Sequence, residues 1–147
     1  MSNNTTLPFD VRTVPLAGKN LVEASAGTGK TYSIGILVLR MIIEKDISIE
    51  NQLIVTYTNF AVAELQERIR AFIKAAYHAA TGRPCPDPLI SALIENAPDQ
   101  AGLKDRLRAA LLLLDEAPIL TIHGFCQQML YEFAFETGQP FQLELQT

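Results

Sequence analysis

The chain has 147 residues, 48% of them hydrophobic, with 12 Lys and Arg against 16 Asp and Glu and a formal net charge of −4. That length supports one ordinary domain with a real core, and the acidic balance excludes a chain-wide basic footprint for nucleic acid, leaving only a local groove for that purpose. No apolar run is long enough to span a bilayer and no charged-then-apolar signal segment opens the chain, so the expected placement is cytoplasmic, with no membrane partner.

Residues 1–19 are polar and carry Pro8 and Pro15, and an extended lead-in is expected there. A first strand is predicted over about Asn20 to Glu23, on the apolar pair Leu21-Val22. The segment Glu23-Ala24-Ser25-Ala26-Gly27-Thr28-Gly29-Lys30-Thr31 follows, and a long apolar-periodic stretch opens directly after it. Strand, glycine loop and helix in that order are the context of a phosphate-binding loop. A triphosphate needs many donors at once with no bulky side chain in the way. Gly27 and Gly29 let the backbone curl so that successive N–H groups point inward. The start of the next helix adds free N–H groups and the positive end of its dipole. Lys30 supplies a mobile point charge, and the Thr31 hydroxyl is suited to ligate Mg²⁺. The first place of the pattern, usually Gly, is Ala24. Ala24, Ser25, Ala26, Gly27, Thr28, Gly29, Lys30 and Thr31 are therefore the expected contacts for a nucleoside triphosphate and its Mg²⁺.

Helix one is predicted from Gly29 or Lys30 to Glu44. Ile34, Leu37, Val38, Met41 and Ile42 form one stripe, but Ile36, Leu39 and Ile43 are apolar too, so the helix is expected to be buried on most sides. After a polar turn at Ser48 to Gln52, Leu53 to Thr56 reads as a short buried strand. A second helix is predicted from Phe60 or Ala61 to the Gly stop at Thr81-Gly82, with Val62, Leu65, Ile69, Phe72, Ile73 and Ala76 on one face. The stretch Thr56 to Lys74 sets Glu64 and Glu67 against Arg68, Arg70 and Lys74, a local basic excess in an acidic chain.

Pro84, Pro86 and Pro88 exclude helix and central strand between the second and third helices. Further helices are predicted over about Pro88 or Leu89 to Glu95 and about Gly102 to Leu114. A third strand is expected at Ile119 to Ile122, and a last helix from Phe125 to Glu136, stopped at Gly138. Cys85 and Cys126 lack metal or redox spacing and read as free thiols. Strands alternating with helices make an α/β fold with a parallel sheet. Three strands are fewer than the roughly five or more of a doubly wound nucleotide-binding sheet, so the sheet is expected to be partial and truncated.

Two further segments leave strands in ways that carry chemistry. Thr56-Tyr57-Thr58-Asn59 puts two hydroxyls, an aromatic ring and an amide at a strand end, where α/β proteins place ligand contacts. Thr and Asn can bond phosphate oxygens and a Tyr face can stack on a base; equally, Thr58 or Asn59 can cap the following helix. Thr121-Ile122-His123-Gly124-Phe125-Cys126 leaves its strand likewise. There His123 is either a donor to phosphate or base, or a satisfied residue at a strand–helix junction. Leu111-Leu112-Leu113-Leu114-Asp115-Glu116 has the look of a Walker B strand. However, Leu103, Leu107, Ala110, Leu111 and Leu114 fit helical spacing, and Arg106 and Arg108 suit a helix, so Asp115-Glu116 is read as a helix end.

Taken together, the glycine loop, Val55 to Ile69 and Thr121 to Cys126 resemble motifs I, Ia and Ib of superfamily 1 DNA helicases of the UvrD/Rep type, in order and spacing. Within that family the wording Glu-Ala-Ser-Ala-Gly-Thr-Gly-Lys-Thr with Thr-Ile-His-Gly-Phe-Cys-Gln is most similar to the beta subunits of exodeoxyribonuclease V. The resemblance runs from about Pro15 to Gly138. It implies a P-loop NTPase-like (RecA-like) partial parallel sheet flanked by helices. Residues 20–147 would be the N-terminal part of motor domain 1A, ending before Walker B. It implies ATP and Mg²⁺ at Ala24 to Thr31, and single-stranded DNA at Thr56, Tyr57, Thr58, Asn59 and His123. It also implies 3′ to 5′ movement, a nuclease domain far beyond this segment, double-strand-break repair by recombination, and the gamma and alpha subunits of exodeoxyribonuclease V as partners. The lead-in lacks the adenine-reading glutamine of many such helicases. With the acidic motif expected after Thr147, no residue here is assigned a catalytic role, and the chain by itself is expected to bind nucleotide weakly, if at all, and not to hydrolyse it. The rival readings are a small-molecule P-loop kinase using Asp115-Glu116, for which the chain lacks an Arg-rich lid, and a non-catalytic interaction module, against which an intact Lys30-Thr31 speaks.

Overall fold

A computed structural model describes residues 8–25, 27 and 29–133. Five helices and two strands follow in the order α1 (Lys30–Lys45), β1 (Ile54–Thr56), α2 (Asn59–Ala80), α3 (Pro88–Glu95), α4 (Leu103–Leu113), β2 (Ile119–Thr121) and α5 (Ile122–Glu132). Short 3-10 turns at Ile49–Asn51 and Leu114–Glu116 precede the two strands.

The core is a helical cluster in which α2 packs against α1, α4 and α3. Its largest fully buried side chains include Ile36, Leu39 and Ile43 of α1, Ile69 and Ile73 of α2, and Leu107 of α4. On α1 the sealed face is the one centred on Ile36, Leu39 and Ile43. The predicted stripe divides: Val38 and Ile42 are buried, whereas Ile34 is 37% exposed. Leu37 and Met41 face the lead-in across an open apolar cavity of about 260 Å³. At Gly35 α1 and α2 pack closely, since a Cβ there would lie 2.8 Å from the Phe72 ring. The Tyr32 ring meets Phe72 edge-on, with centroids 5.3 Å apart.

The lead-in does not simply run extended. The N–H groups of Thr13 and Val14 donate to the Asp10 carbonyl, closing a turn. Arg40 of α1, only 5% exposed, reaches across to it: its Nη1 donates to the carbonyls of Val11 and Val14 at 2.8 and 2.9 Å. Its other donors pair with Glu44. A guanidinium is tolerated at that depth because the turn carbonyls and the Glu44 carboxylate satisfy its fork.

Strands β1 and β2 are parallel, in the register Ile54 with Ile119, Val55 with Leu120 and Thr56 with Thr121. The expected first strand at Asn20 to Glu23 does not form: these residues take no regular structure, and Leu21 is 88% exposed. A strand exists only through ladder partners, and among the described residues none lies beside this segment. The third predicted strand loses its last residue, because Ile122 already opens α5. The remainder of the predicted last helix and its stop at Gly138 fall outside the described residues. The helix reading of Leu111 to Glu116 holds: α4 passes into a 3-10 turn, Asp115 is exposed, and its carboxylate pairs with Arg70 of α2. Cys85 and Cys126 are free, and no described helix is long and apolar enough to cross a membrane.

Candidate functional site

Gly29, the residue before α1, has φ 80°, and Gly27 has φ 76°. Both lie in the left-handed region that glycine enters without strain, and among the described residues nothing stands within 4 Å of where a Cβ would be. The loop is therefore an open concavity of backbone. As the N-cap, Gly29 supplies no side-chain acceptor, so the first-turn N–H groups of α1 are left for solvent or a ligand. Lys30 folds back over the loop, its Nζ donating to the carbonyls of Ala24 and Ser25, both at 3.2 Å. Two neutral carbonyls are modest partners for an ammonium, and an anion in the concavity would displace them. Thr31, half-buried, is the second residue of the helix. Ala26 and Thr28 lie outside the described residues.

Gly27, Gly29, Lys30, Thr31, Tyr32 and Arg68 line an open cavity of about 210 Å³. The last two carry no site signal in the sequence. Tyr32 follows the loop directly, and its hydroxyl donates to Asp87 Oδ2 at 2.9 Å. The other oxygen of Asp87 accepts from the N–H groups of Leu89 and Ile90, capping α3. One carboxylate thus links the first turn of α1 to the start of α3. Partial burial and the neighbouring carboxylate push the Tyr32 phenol up to about 12. A raised folded-state pKa means that the proton-linked stabilisation is complete below the unfolded value of 10.0 and is lost as pH rises through about 12. Urea midpoints measured across that window should fall more steeply for the wild type than for Tyr32→Phe; parallel curves would count against the bond.

The strand-tip segments come together. Because β1 and β2 run parallel with Thr56 opposite Thr121, Tyr57 to Phe60 and Ile122 to Gly124 leave the same end of the sheet, the carboxyl end where α/β folds bind ligands. Thr58 Oγ1 accepts from the Ala61 N–H at 3.1 Å, and Thr121 Oγ1 from the Gly124 N–H at 3.0 Å. Each threonine therefore caps the helix that leaves its strand, a role typically worth about 1 kcal/mol. Of the two readings open for Thr58, the cap is present. Asn59 opens α2 and is exposed; Tyr57 and Phe60 are 86% and 80% exposed. His123, also exposed, is the second residue of α5. The exposure of Phe60 is a feature the sequence does not signal: it lies outside the apolar stripe of α2, and its burial depends on what packs beside the helix start.

Asp115 and Glu116 sit just before β2, toward its amino end and away from the strand tips. Exposed and helical, with Asp115 tied to Arg70, they do not form a Walker B strand, and the kinase reading built on them is set aside.

Residues 10–146 match the UvrD/REP helicase N-terminal domain. The chain is 40% identical over 145 residues to RecBCD enzyme subunit RecB of Escherichia coli strain K12, covering 93% of this chain and 12% of that protein. It is 38% identical over 155 residues to RecBCD enzyme subunit RecB of Haemophilus influenzae, covering 95% and 13%. It is 43% identical over 143 residues to the same subunit of Chlamydia trachomatis, covering 91% and 14%. The chain thus spans 12% to 14% of the length of these curated relatives.

Proposed function

The chain belongs to the family of UvrD/REP helicase N-terminal domains, and on that premise we propose that it is the nucleotide-binding, strand-contacting part of an ATP-dependent DNA helicase motor serving recombinational repair. The observation that carries this reading is the parallel register of Thr56 with Thr121. It gathers an exposed tyrosine, an amide and a histidine at one sheet end, and the same helix that starts there, α2, also borders the glycine loop.

ATP fits what the loop offers. Gly27 and Gly29 provide open backbone beside Ser25, Lys30 exchanges its carbonyl partners for phosphate oxygens, and Thr31 offers its hydroxyl to Mg²⁺. Ala24, Ala26 and Thr28 complete that loop. When bound, the nucleotide supplies the free energy of hydrolysis that drives a motor. On the DNA side, Tyr57 stacks on a base, Asn59 and His123 bond the backbone, and Thr56 and Thr58 hold these groups in place, Thr58 through its cap. This contact is sequence-tolerant, as a translocating motor requires.

The same reading extends to the longer protein. Residues 20–147 are the opening part of motor domain 1A, the acidic catalytic residues follow later, and this segment alone does not turn over ATP. The whole subunit moves 3′ to 5′ and carries a nuclease, works in the cytoplasm, and assembles with the gamma and alpha subunits of exodeoxyribonuclease V.

The test of the DNA contact is anisotropy of a labelled oligothymidine. Stacking of one base on an aromatic ring is worth about 1–3 kcal/mol, so Tyr57→Ala should weaken binding roughly 5- to 150-fold. Tyr57→Phe should retain most of the affinity. Equal affinities for wild type and Tyr57→Ala would reject the stacking role.

A further inference from the structure

The cavity beside the glycine loop has a second cation. Arg68 lies on α2, far from Lys30 in sequence, yet lines the same space as Gly27, Gly29, Lys30 and Thr31. Among the described residues that line it none is acidic, and two are cationic. Arg68 is poorly occupied where it stands. Its Nη2 sits 3.5 Å from Glu64 Oε1, with the two side chains 41% and 43% exposed. A pair that long and that wet contributes little. Its Nε is sealed from solvent and meets no acceptor among the described residues. An unpartnered buried donor on a guanidinium is costly, and such groups in native structures call for an explanation.

We propose that Arg68 is a phosphate-binding residue of this site, held loosely by Glu64 when the loop is empty and transferred to a phosphate oxygen of the nucleotide when it is filled. The proposal rests on the reading of the glycine loop as a triphosphate site. The chemistry suits the geometry. A guanidinium presents a planar fork of donors that matches two phosphate oxygens, whereas Lys30 delivers a point charge. The move also makes α2 responsive to nucleotide occupancy. The helix that begins at Asn59, next to the exposed tip residues, is then gripped two and a half turns later by the phosphate chain. Binding at the loop would bias the position of a helix that also ends at the strand tips, a physical link between two sites through one rigid element.

The experiment is equilibrium binding of MgATP to the wild type and to Lys30→Ala, Arg68→Ala, Arg68→Lys and Glu64→Gln, with the melting temperature of each recorded without nucleotide. Loss of a charge-assisted hydrogen bond predicts roughly 10- to 150-fold weaker binding for Arg68→Ala, with partial retention in Arg68→Lys. Glu64→Gln, which frees the guanidinium, should tighten binding by roughly 2-fold. If Lys30→Ala weakens binding and Arg68→Ala does not, the role of Arg68 is overturned while the loop stands. If neither changes it, or the wild type binds no ATP, the loop reading falls as well. If Arg68→Ala loses binding but also melts early, Glu64→Gln decides, and an unchanged or weakened affinity there overturns the proposal.

Discussion

Lys30→Ala is expected to weaken MgATP binding roughly 10- to 150-fold, the worth of one hydrogen bond to a charged group, while leaving the fold intact. The two halves of that expectation have separate grounds. Lys30 is exposed and, among the described residues, its Nζ bonds the carbonyls of Ala24 and Ser25 at 3.2 Å, both exposed, so its removal strands no buried group there. Those carbonyls turn to water. What is lost is the mobile positive charge over a loop whose own remaining donors, backbone N–H groups and hydroxyls, are neutral. Isothermal titration with MgATP reads the first half and circular dichroism the second. An unchanged dissociation constant would remove the lysine from the nucleotide site, and a collapse of helical signal would mean that it serves the fold instead.

The largest effect on stability is expected at Ile69→Ala, which should destabilise the chain by about 2–5 kcal/mol. Ile69 is fully buried in α2, the helix that touches α1, α3 and α4 at once. Deleting its side chain opens a void in the middle of that cluster, with little freedom for three separate helices to collapse onto it. Leu112→Ala is the control. Leu112 is 72% exposed on α4, and its truncation should stay within about 0.5 kcal/mol. Urea unfolding of both variants measures the contrast. A cost below about 1 kcal/mol at Ile69 would contradict a core centred on α2, because truncating a packed core isoleucine removes both its burial and its contacts.

The helices are legible because their information is local. Apolar spacing locates α1, α2, α3 and α4 to within a residue or so at their ends, and the Gly82 stop and the Pro88 start fall where backbone chemistry puts them. The same periodicity places Asp115 and Glu116 correctly, against the pull of a familiar acidic pattern. The strands are less legible because a strand is defined by its neighbours. The strand expected over Leu53 to Thr56 forms only as Ile54 to Thr56 and is not sealed, with Leu53 and Val55 exposed; it pairs with Ile119 to Thr121, whereas Leu21-Val22, equally apolar, has no described partner and stays outside any sheet. Thr121 carries a signal that apolar spacing overlooks: as a cap it starts α5 at Ile122, three residues before the predicted Phe125. At the site, the glycine loop can be read off its own residues. Arg68 and Tyr32 cannot, since their membership depends on how α2 lies against α1, to which the approach of Phe72 to Gly35 and to the Tyr32 ring contributes.

The clasp between Arg40 and the carbonyls of Val11 and Val14 encloses the whole glycine stretch within a closed circuit of chain. Both flanks of that stretch are thereby anchored, one by the guanidinium and the other by the first turns of α1. A tethered segment has fewer conformations to surrender when it wraps an anion, so more of each contact appears as affinity. For the anion site proposed above, the short turn at Asp10 would act at a distance as pre-organisation, and cutting the chain after it is expected to weaken ligand capture without removing a ligand-touching atom.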